Sequence, residues 1–336
     1  MLDIATLDPA EPLALLQACP MHRATPLETR EFEGRSLLIK DETQRMGLGA
    51  FKALGGIYAV AKLIEAELGR ALDPKGFADP VVQEVAKAMT FVCASAGNHG
   101  LSVAVGATHF GAKARIYLSE AVPEHFAKQL RAKGAEVVRE GEHYEASVEA
   151  AIADAERTGA IHLADGSWPG YTEPPRLVME GYTVMAEEMR AEFEASGRWP
   201  THVYLQAGVG GLAAGIAHAI RARWSVQPKI IVVEPEAAQC LSASHEAGKI
   251  VTVQGPVSNM GRLDCKTPSM LALDILGSHA DQWSAISDKE AEKAVYRAAE
   301  MGFSTTPSGA AGLAVALQED APLPLVILSE VGVPPA

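Results

Sequence analysis

The amino-acid sequence predicts an α/β protein of two lobes, with parallel-rich sheets flanked by helices. Three observations predict it. From Thr90 onward, short apolar runs of strand character alternate with longer segments of helical spacing, the order that builds a parallel sheet. A second alternating series runs from 177 to 329. A length of 336 residues with 48% hydrophobic composition supplies enough apolar side chain for two sizeable cores.

Residues 12–19 read as a short helix and Thr25-Pro26-Leu27 as a turn. Residues 1–36 are then a lead-in to the first strand, over 37–39, with no chemistry of their own. Glycines at 47 and 49 bend the chain after that strand, and an alanine-rich apolar helix over 57–68 leaves the bend. Strands follow at 91–94, 114–118, 136–139 and 161–164, with helices between them through Val103 and Val105, through Phe126 and Leu130, and onward from Tyr144. The second series is a long helix over 177–195, a strand over 202–206, a helix after Gly211, a strand over 229–234 and a terminal strand over 325–329. The two series divide the chain into a large domain, 1–87 with 169–336, and a small one, 88–168. No repeat of 20 to 50 residues is visible, and the Pro/Gly-rich turns are too short to be linkers.

A formal net charge of −13 and a pI near 5.3 argue against a nucleic-acid or anionic-membrane partner. The first residues, Met1 to Asp8, show no basic region followed by an apolar one, and no apolar run reaches about 18 residues, so a cytoplasmic protein is expected. Cys19, Cys93, Cys240 and Cys265 lack paired spacing, which fits reduced structural thiols. No H-x-x-x-H pair occurs among the 10 histidines, and no structural metal site is expected.

The chemistry centres on the run Lys40-Asp41-Glu42-Thr43-Gln44-Arg45-Met46-Gly47-Leu48-Gly49-Ala50-Phe51-Lys52. Lys52 stands at a helix start between apolar neighbours, where the ammonium either snorkels to water as a surface lysine or, desolvated, has its pKa lowered and becomes a nucleophile, the usual starting point for a Schiff base. Two strand-to-helix turns rich in small residues accompany it. Ser95-Ala96-Gly97-Asn98-His99-Gly100 can hold a carboxylate, with Ser95 or Asn98 as helix cap, and Gly208-Val209-Gly210-Gly211-Leu212 can hold a phosphate on backbone N–H groups. An amine, a carboxylate turn and a phosphate turn together describe a site for pyridoxal phosphate and an amino acid. A rival pattern also exists: Gly208-x-Gly210-x-x-Ala213 followed by Glu234 is a passable dinucleotide fingerprint, which would make the protein an NAD-dependent oxidoreductase. Asp165 is either a helix cap or turn residue, Asp before Gly being a common turn pair, or, at the strand end where α/β sheets bind ligands, a carboxylate that would favour a substrate with a second, cationic amine.

At these residues the chain resembles the fold-type II pyridoxal phosphate enzymes, which include threonine dehydratase, serine racemase and tryptophan synthase β. Lys40-Asp41-Glu42, Gly47-Leu48-Gly49-Ala50-Phe51-Lys52-Ala53-Leu54-Gly55-Gly56 and Ser167-Trp168-Pro169-Gly170-Tyr171 look most like 2,3-diaminopropionate ammonia-lyases. The resemblance covers about Pro26 to Gly332. It implies that the large domain binds the cofactor on Lys52, Gly208, Val209, Gly210, Gly211, Leu212 and Ser329, whose hydroxyl bonds the pyridine nitrogen, with Asn98 of the small domain as a further cofactor contact. It also implies that Ser95, Ala96, Gly97, Asn98, His99 and Asp165 meet the substrate, and that the protein is a homodimer. The implied reaction is elimination: Lys52 removes the Cα proton, the β-substituent leaves, and L-2,3-diaminopropionate gives pyruvate and ammonia. Ammonia-lyases that act on both enantiomers carry an aspartate where this chain has Ala96. That departure resembles a threonine dehydratase instead, so a dehydratase or racemase of serine, threonine or hydroxyaspartate is the alternative in the same fold.

Overall fold

The computed structural model describes residues 7–72 and 79–332; most of the N-terminal stretch on which the absence of a leader is read lies outside them. The described chain starts with α1 (Glu11–Gln17), with Pro12 in its first turn where a missing N–H costs nothing. A hairpin follows, β1 (Leu27–Phe32) and β2 (Arg35–Asp41), closed by Glu33 and Gly34, both at positive φ as a two-residue hairpin turn requires. Here the structure corrects the expectation of a featureless lead-in. Leu27 begins a strand rather than ending a turn, and the strand escapes notice because Glu28, Thr29, Arg30 and Glu31 lie at a partly exposed edge with no apolar alternation.

The chain continues through α2 (Lys52–Leu68), α3 (Pro80–Ala88), β3 (Thr90–Ala94), α4 (Asn98–Phe110), β4 (Lys113–Leu118), α5 (Glu124–Ala132), β5 (Glu136–Arg139), α6 (Tyr144–Thr158) and β6 (Ile161–His162). Then come α7 (Glu173–Ser196), β7 (His202–Gln206), α8 (Gly211–Arg223), β8 (Lys229–Pro235), α9 (Cys240–Ala247), α10 (Met270–His279), β9 (Gln282–Ile286), α11 (Asp288–Glu300), α12 (Ala311–Gln318) and β10 (Pro324–Leu328). The strands form a six-stranded sheet, β1-β2-β10-β7-β8-β9, and a four-stranded sheet, β5-β4-β3-β6. Every pairing is parallel except β1 with β2.

Central strands such as β8 and β10 read as continuous apolar runs because both faces of a parallel sheet are covered. Alternate residues serve different cores. Leu38 joins the core that includes α2, α4, α7 and α8, whereas Leu37 and Ile39 face the core of α11 and α12. The first of these cores also contains Phe91 and Ile116 of the four-stranded sheet, so one continuous apolar body joins both sheets. α2 lies against α4 and α7, and glycines permit the close approach: a Cβ on Gly55 would stand 2.5 Å from Val178 O, and one on Gly56 within 2.7 Å of Ser102 Cβ.

A buried ionic cluster braces the segment that delivers Lys52. Glu188 of α7 accepts from Lys40 Nζ (2.7 Å) and from both Nη atoms of Arg45 (2.7 Å each). Arg45 also donates to both oxygens of Glu42 at 2.7 Å, so each carboxylate and each cation is satisfied.

Candidate active site

A cavity of about 650 Å³ opens where β2, β3, β6, β7 and β10 hand over to their following turns, as expected for α/β sheets. Lys52, Ser95, Ala96, Gly97, Asn98, His99, Asp165, Gly208, Val209, Gly210, Gly211, Leu212 and Ser329 all line it. Thus the lysine, both small-residue turns, Asp165 and Ser329 face one space, while Glu234 and the run from Ser167 to Tyr171 do not line it.

Lys52 is the first residue of α2, and the preceding Phe51 N–H donates to Ser329 O (3.1 Å), which ties that helix start to the end of β10. Its Nζ forms a hydrogen-bonded ion pair with Asp165 Oδ2, their side chains 19% and 25% exposed. The predicted depressed pKa is not what the structure holds. Burial does pull the Lys52 amine down, but the adjoining Asp165 carboxylate outweighs it, and the ammonium is held above the ordinary lysine value. Burial pushes the Asp165 carboxyl up, and the Lys52 charge overrides this to keep it well below the usual carboxylate range.

The turn after β3 is capped by Gly97, without a side-chain cap, rather than by Ser95 or Asn98. Ser95 Oγ instead accepts from Gly97 N (3.3 Å), and Gly100 is required because a Cβ there would lie 2.3 Å from Ser95 O. The Asn98 amide donates to Glu330 Oε2 (2.5 Å), whose other oxygen accepts from Thr306 Oγ1 (2.6 Å). Buried His99 contacts Leu163 O through Nε2 (2.8 Å), and burial lowers its pKa, so a neutral ring fastens the turn to the β6 side.

Gly210 caps α8 with φ of 101°, a conformation that disfavours side chains, and a Cβ on Gly208 would stand 3.0 Å from Cys265 Sγ. The first-turn N–H groups of α8 have no intrahelical acceptor, so this turn offers donors to an anion. Glu234 is committed elsewhere: its two oxygens accept from Leu241 N (2.8 Å) and Ser242 N (2.9 Å) at the start of α9. The acidic residue of the dinucleotide pattern therefore serves as a helix cap and not as a ribose ligand.

In the Ser167-Trp168-Pro169-Gly170-Tyr171 run, Trp168 stacks on Tyr171 at 4.3 Å, and Tyr171 Oη bonds His162 O (2.8 Å) and Ala164 N (3.0 Å). Ser167 Oγ meets Ser269 Oγ (2.7 Å) and Leu271 N (2.9 Å). The run braces the loop that presents Asp165.

Tyr182, Arg262, Cys265, Lys266 and Glu330 are among the lining residues that carry no role from sequence spacing. Tyr182 of α7 packs edge-on to Phe51 (4.9 Å), and its buried hydroxyl has no partner among the described residues. An orphaned phenol, a glycine turn at a helix start, a lysine amine and the Ser329 hydroxyl on one cavity match the phosphate, aldehyde and ring nitrogen of pyridoxal phosphate.

Fold and site together define a pyridoxal phosphate enzyme of fold-type II. Residues 17–324 match the family described as pyridoxal-phosphate dependent enzyme; the chain belongs to that family, and its cofactor is pyridoxal 5'-phosphate. The chain is 34% identical over 277 residues to the diaminopropionate ammonia-lyase of Escherichia coli strain K12, covering 80% of this chain and 69% of the relative. The Salmonella typhimurium ammonia-lyase of the same name is 35% identical over 282 residues, 82% of this chain and 70% of the relative. Among solved structures, Escherichia coli diaminopropionate ammonia lyase in complex with an aminoacrylate-PLP azomethine reaction intermediate superposes with a TM-score of 0.84 at 29% identity, covering 96% of this chain and 88% of that one. The threonine deaminase of T.th. gives a TM-score of 0.80 at 27% identity, covering 97% and 99%.

Proposed function

We propose that the chain is an ammonia-lyase that eliminates the β-amine of L-2,3-diaminopropionate, and that water hydrolyses the released aminoacrylate, so that the products are pyruvate and two ammonia. The observation that carries this is the Lys52–Asp165 pair, a carboxylate poised beside the reactive amine and suited to a second substrate cation. When bound, pyridoxal phosphate supplies an aldehyde for Lys52 and a ring that accepts the electrons released at Cα.

The protein's own groups do the rest. The turn Gly208 to Leu212 holds the phosphate, with the Tyr182 hydroxyl beside it, and Ser329 offers a neutral partner to the ring nitrogen, which favours elimination over transamination. The turn Ser95 to His99 receives the substrate carboxylate. A substrate β-ammonium competes with Lys52 for Asp165, and the lysine, losing the charge that raised its pKa, becomes able to take the Cα proton as general base. Asp165 then keeps the β-amine protonated as a leaving group. In this scheme 88–168 is the substrate-side domain and 1–87 with 169–336 the cofactor domain.

Dehydration or racemisation of serine, threonine or hydroxyaspartate is the second reading, favoured by Ala96 in the carboxylate turn. Pyruvate or 2-oxobutyrate release from L- and D-diaminopropionate, serine and threonine decides between them. L-Diaminopropionate should give the highest kcat/KM, and faster turnover of serine or threonine would reject the ammonia-lyase. A cytoplasmic homodimer completes the proposal, tested by light scattering on the eluting protein and by cell fractionation. No described helix is long and apolar enough to cross a membrane.

A further inference from the structure

The cavity holds three cationic side chains, and two of them are engaged. Lys52 pairs with Asp165. The Lys266 ammonium donates to Ala237 O (2.8 Å), Pro256 O (3.0 Å) and Asp264 Oδ1 (2.5 Å), which fills its three donors. Arg262 differs. Its backbone N–H is anchored by Ser308 Oγ (3.1 Å), and its guanidinium carbon stands 6.0 Å from the centre of the Phe126 ring. Nη1 lies 2.9 Å from the place a Cβ on Gly97 would occupy, so the guanidinium covers the backbone of the carboxylate turn. The nearest carboxylate oxygen, Glu330 Oε2, is 3.7 Å from Nε and already accepts from Asn98. Among the described residues, none accepts a hydrogen bond from Nη1 or Nη2, and the side chain is 41% exposed.

We propose that Arg262 binds the α-carboxylate of the substrate, a role that rests on the amino-acid chemistry proposed above. A guanidinium presents paired N–H groups that match two carboxylate oxygens, and the missing side chain at Gly97 leaves it room to do so. The cavity then carries opposite charges at its two ends. Arg262 takes the anionic end of the ligand and Asp165 the cationic end, so a small amino acid with a free carboxylate and an amine on its side chain is oriented by both. Amides, esters and peptide-linked residues, which lack the anion, are refused.

The test uses holoenzyme and equilibrium binding of L-alanine and L-alaninamide, read from the change in cofactor absorption and by calorimetry, so that no elimination is needed. Wild type should prefer the acid over the amide by roughly ten- to hundredfold, the range expected of hydrogen bonds between charged groups. Arg262→Ala should lose most of that preference, the turn Ser95 to His99 keeping the remainder, and Arg262→Lys should recover part of it. With diaminopropionate, Arg262→Ala should raise KM while leaving kcat within a few-fold. An unchanged acid-to-amide ratio in a folded Arg262→Ala or Arg262→Gln variant, or the absence of any preference in wild type, overturns the assignment. A wild type that binds alanine with the expected preference yet releases no pyruvate from diaminopropionate would reject the ammonia-lyase and keep Arg262 as the carboxylate site.

Discussion

Lys52 Nζ and Asp165 Oδ2 form an ion pair between the first turn of α2 and the loop after β6, 113 residues apart in the chain. Each group holds the other charged. The carboxyl, lowered from an ordinary value of 3.8, contributes stability above that value that is lost as the medium turns strongly acid; the amine, raised from 10.5, contributes stability below that value that is lost in strong alkali.

Attachment of the cofactor needs the neutral amine, so the pair sets the pH at which it occurs. Asp165→Asn removes the charge that raises Lys52 and leaves only burial, which lowers it. The pH midpoint for attachment of pyridoxal phosphate to the cofactor-stripped protein should fall by at least about one unit, a change of roughly 1.4 kcal/mol in proton affinity. Borohydride reduction and peptide mapping at a series of pH values measure it. Lys52→Ala should show no attachment at any pH, and an unmoved midpoint in Asp165→Asn would mean that the carboxylate does not govern the amine. The same variant should lose diaminopropionate turnover far more than serine turnover, since only the former offers a second cation.

Tyr182 is expected to donate its hydroxyl to the cofactor phosphate. The hydroxyl is buried without a partner among the described residues, so Tyr182→Phe removes no described hydrogen bond from the cofactor-free fold and relieves an unsatisfied group. Its melting temperature should stay level or rise, while the dissociation constant for pyridoxal phosphate rises about tenfold, the lower end for a hydrogen bond to a charged group. Thermal melting of the cofactor-free protein reads the first half and fluorescence titration with pyridoxal phosphate the second. Unchanged affinity would remove Tyr182 from the phosphate site.

The parallel core is legible in the sequence because strands covered on both faces are continuous apolar runs, as in Ile230 to Val233 or Leu325 to Leu328. The edges are not. β1 is charged and half exposed, and β9 mixes Gln282, Trp283 and Ser284 with no alternation, so its parallel pairing with β8 is decided by packing. The site shows the same division. Lys52 and the two glycine turns are visible because each is a contiguous run joining strand to helix. Tyr182, Arg262 and Glu330 reach the cavity from distant segments, Glu330 bonding Asn98 across 232 residues, and no local spacing encodes that proximity. The apolar neighbours of Lys52 likewise predict a lowered pKa because Asp165, far along the chain, is invisible to them.

The buried cluster around Glu188 should matter through the segment it fixes. Glu188→Gln leaves Arg45 in the core with Glu42 as its remaining carboxylate and the Lys40 ammonium with Thr25 O and no charged partner among the described residues, a loss of about 3–5 kcal/mol for a broken buried pair. Burial alone would raise the Glu188 carboxyl, but its hydrogen bonds from Arg45 and the charges of Arg45 and Lys40 hold it well below its ordinary 4.5. Its contribution is therefore present above that pH and declines as pH falls below it. Thermal unfolding from pH 3 to 7 should show wild type losing stability in acid and the variant, already weaker at pH 7, changing less. Equal melting temperatures at pH 7 would show that the cluster is not stabilising.

Stereochemistry tests how the remaining charges of the cavity are spent. The two enantiomers of an amino acid present the Cα proton from opposite faces of the cofactor plane, so one base serves one enantiomer. Lys52 is the base proposed for the L-isomer, and three of the four carboxylates lining the cavity are engaged, Asp165 by Lys52, Asp264 by Lys266 and Glu330 by Asn98 and Thr306, while the fourth, Glu145, is exposed beside His143. The carboxylate turn, where a second base would stand, presents Ala96, which lines the cavity with a methyl group alone. Wild type should therefore turn over L-diaminopropionate at least about a hundredfold faster than the D-isomer, a barrier difference of roughly 2.7 kcal/mol. Ala96→Asp should narrow the gap by raising D-turnover, with Arg262 close enough to the turn to keep the new carboxyl ionised. Chiral analysis of residual substrate from the racemate reads the ratio directly. Equal consumption of both enantiomers by wild type would require a second base that the engaged carboxylates do not supply, and would return the search to Glu145, the Ser95 hydroxyl and the neutral His99 ring.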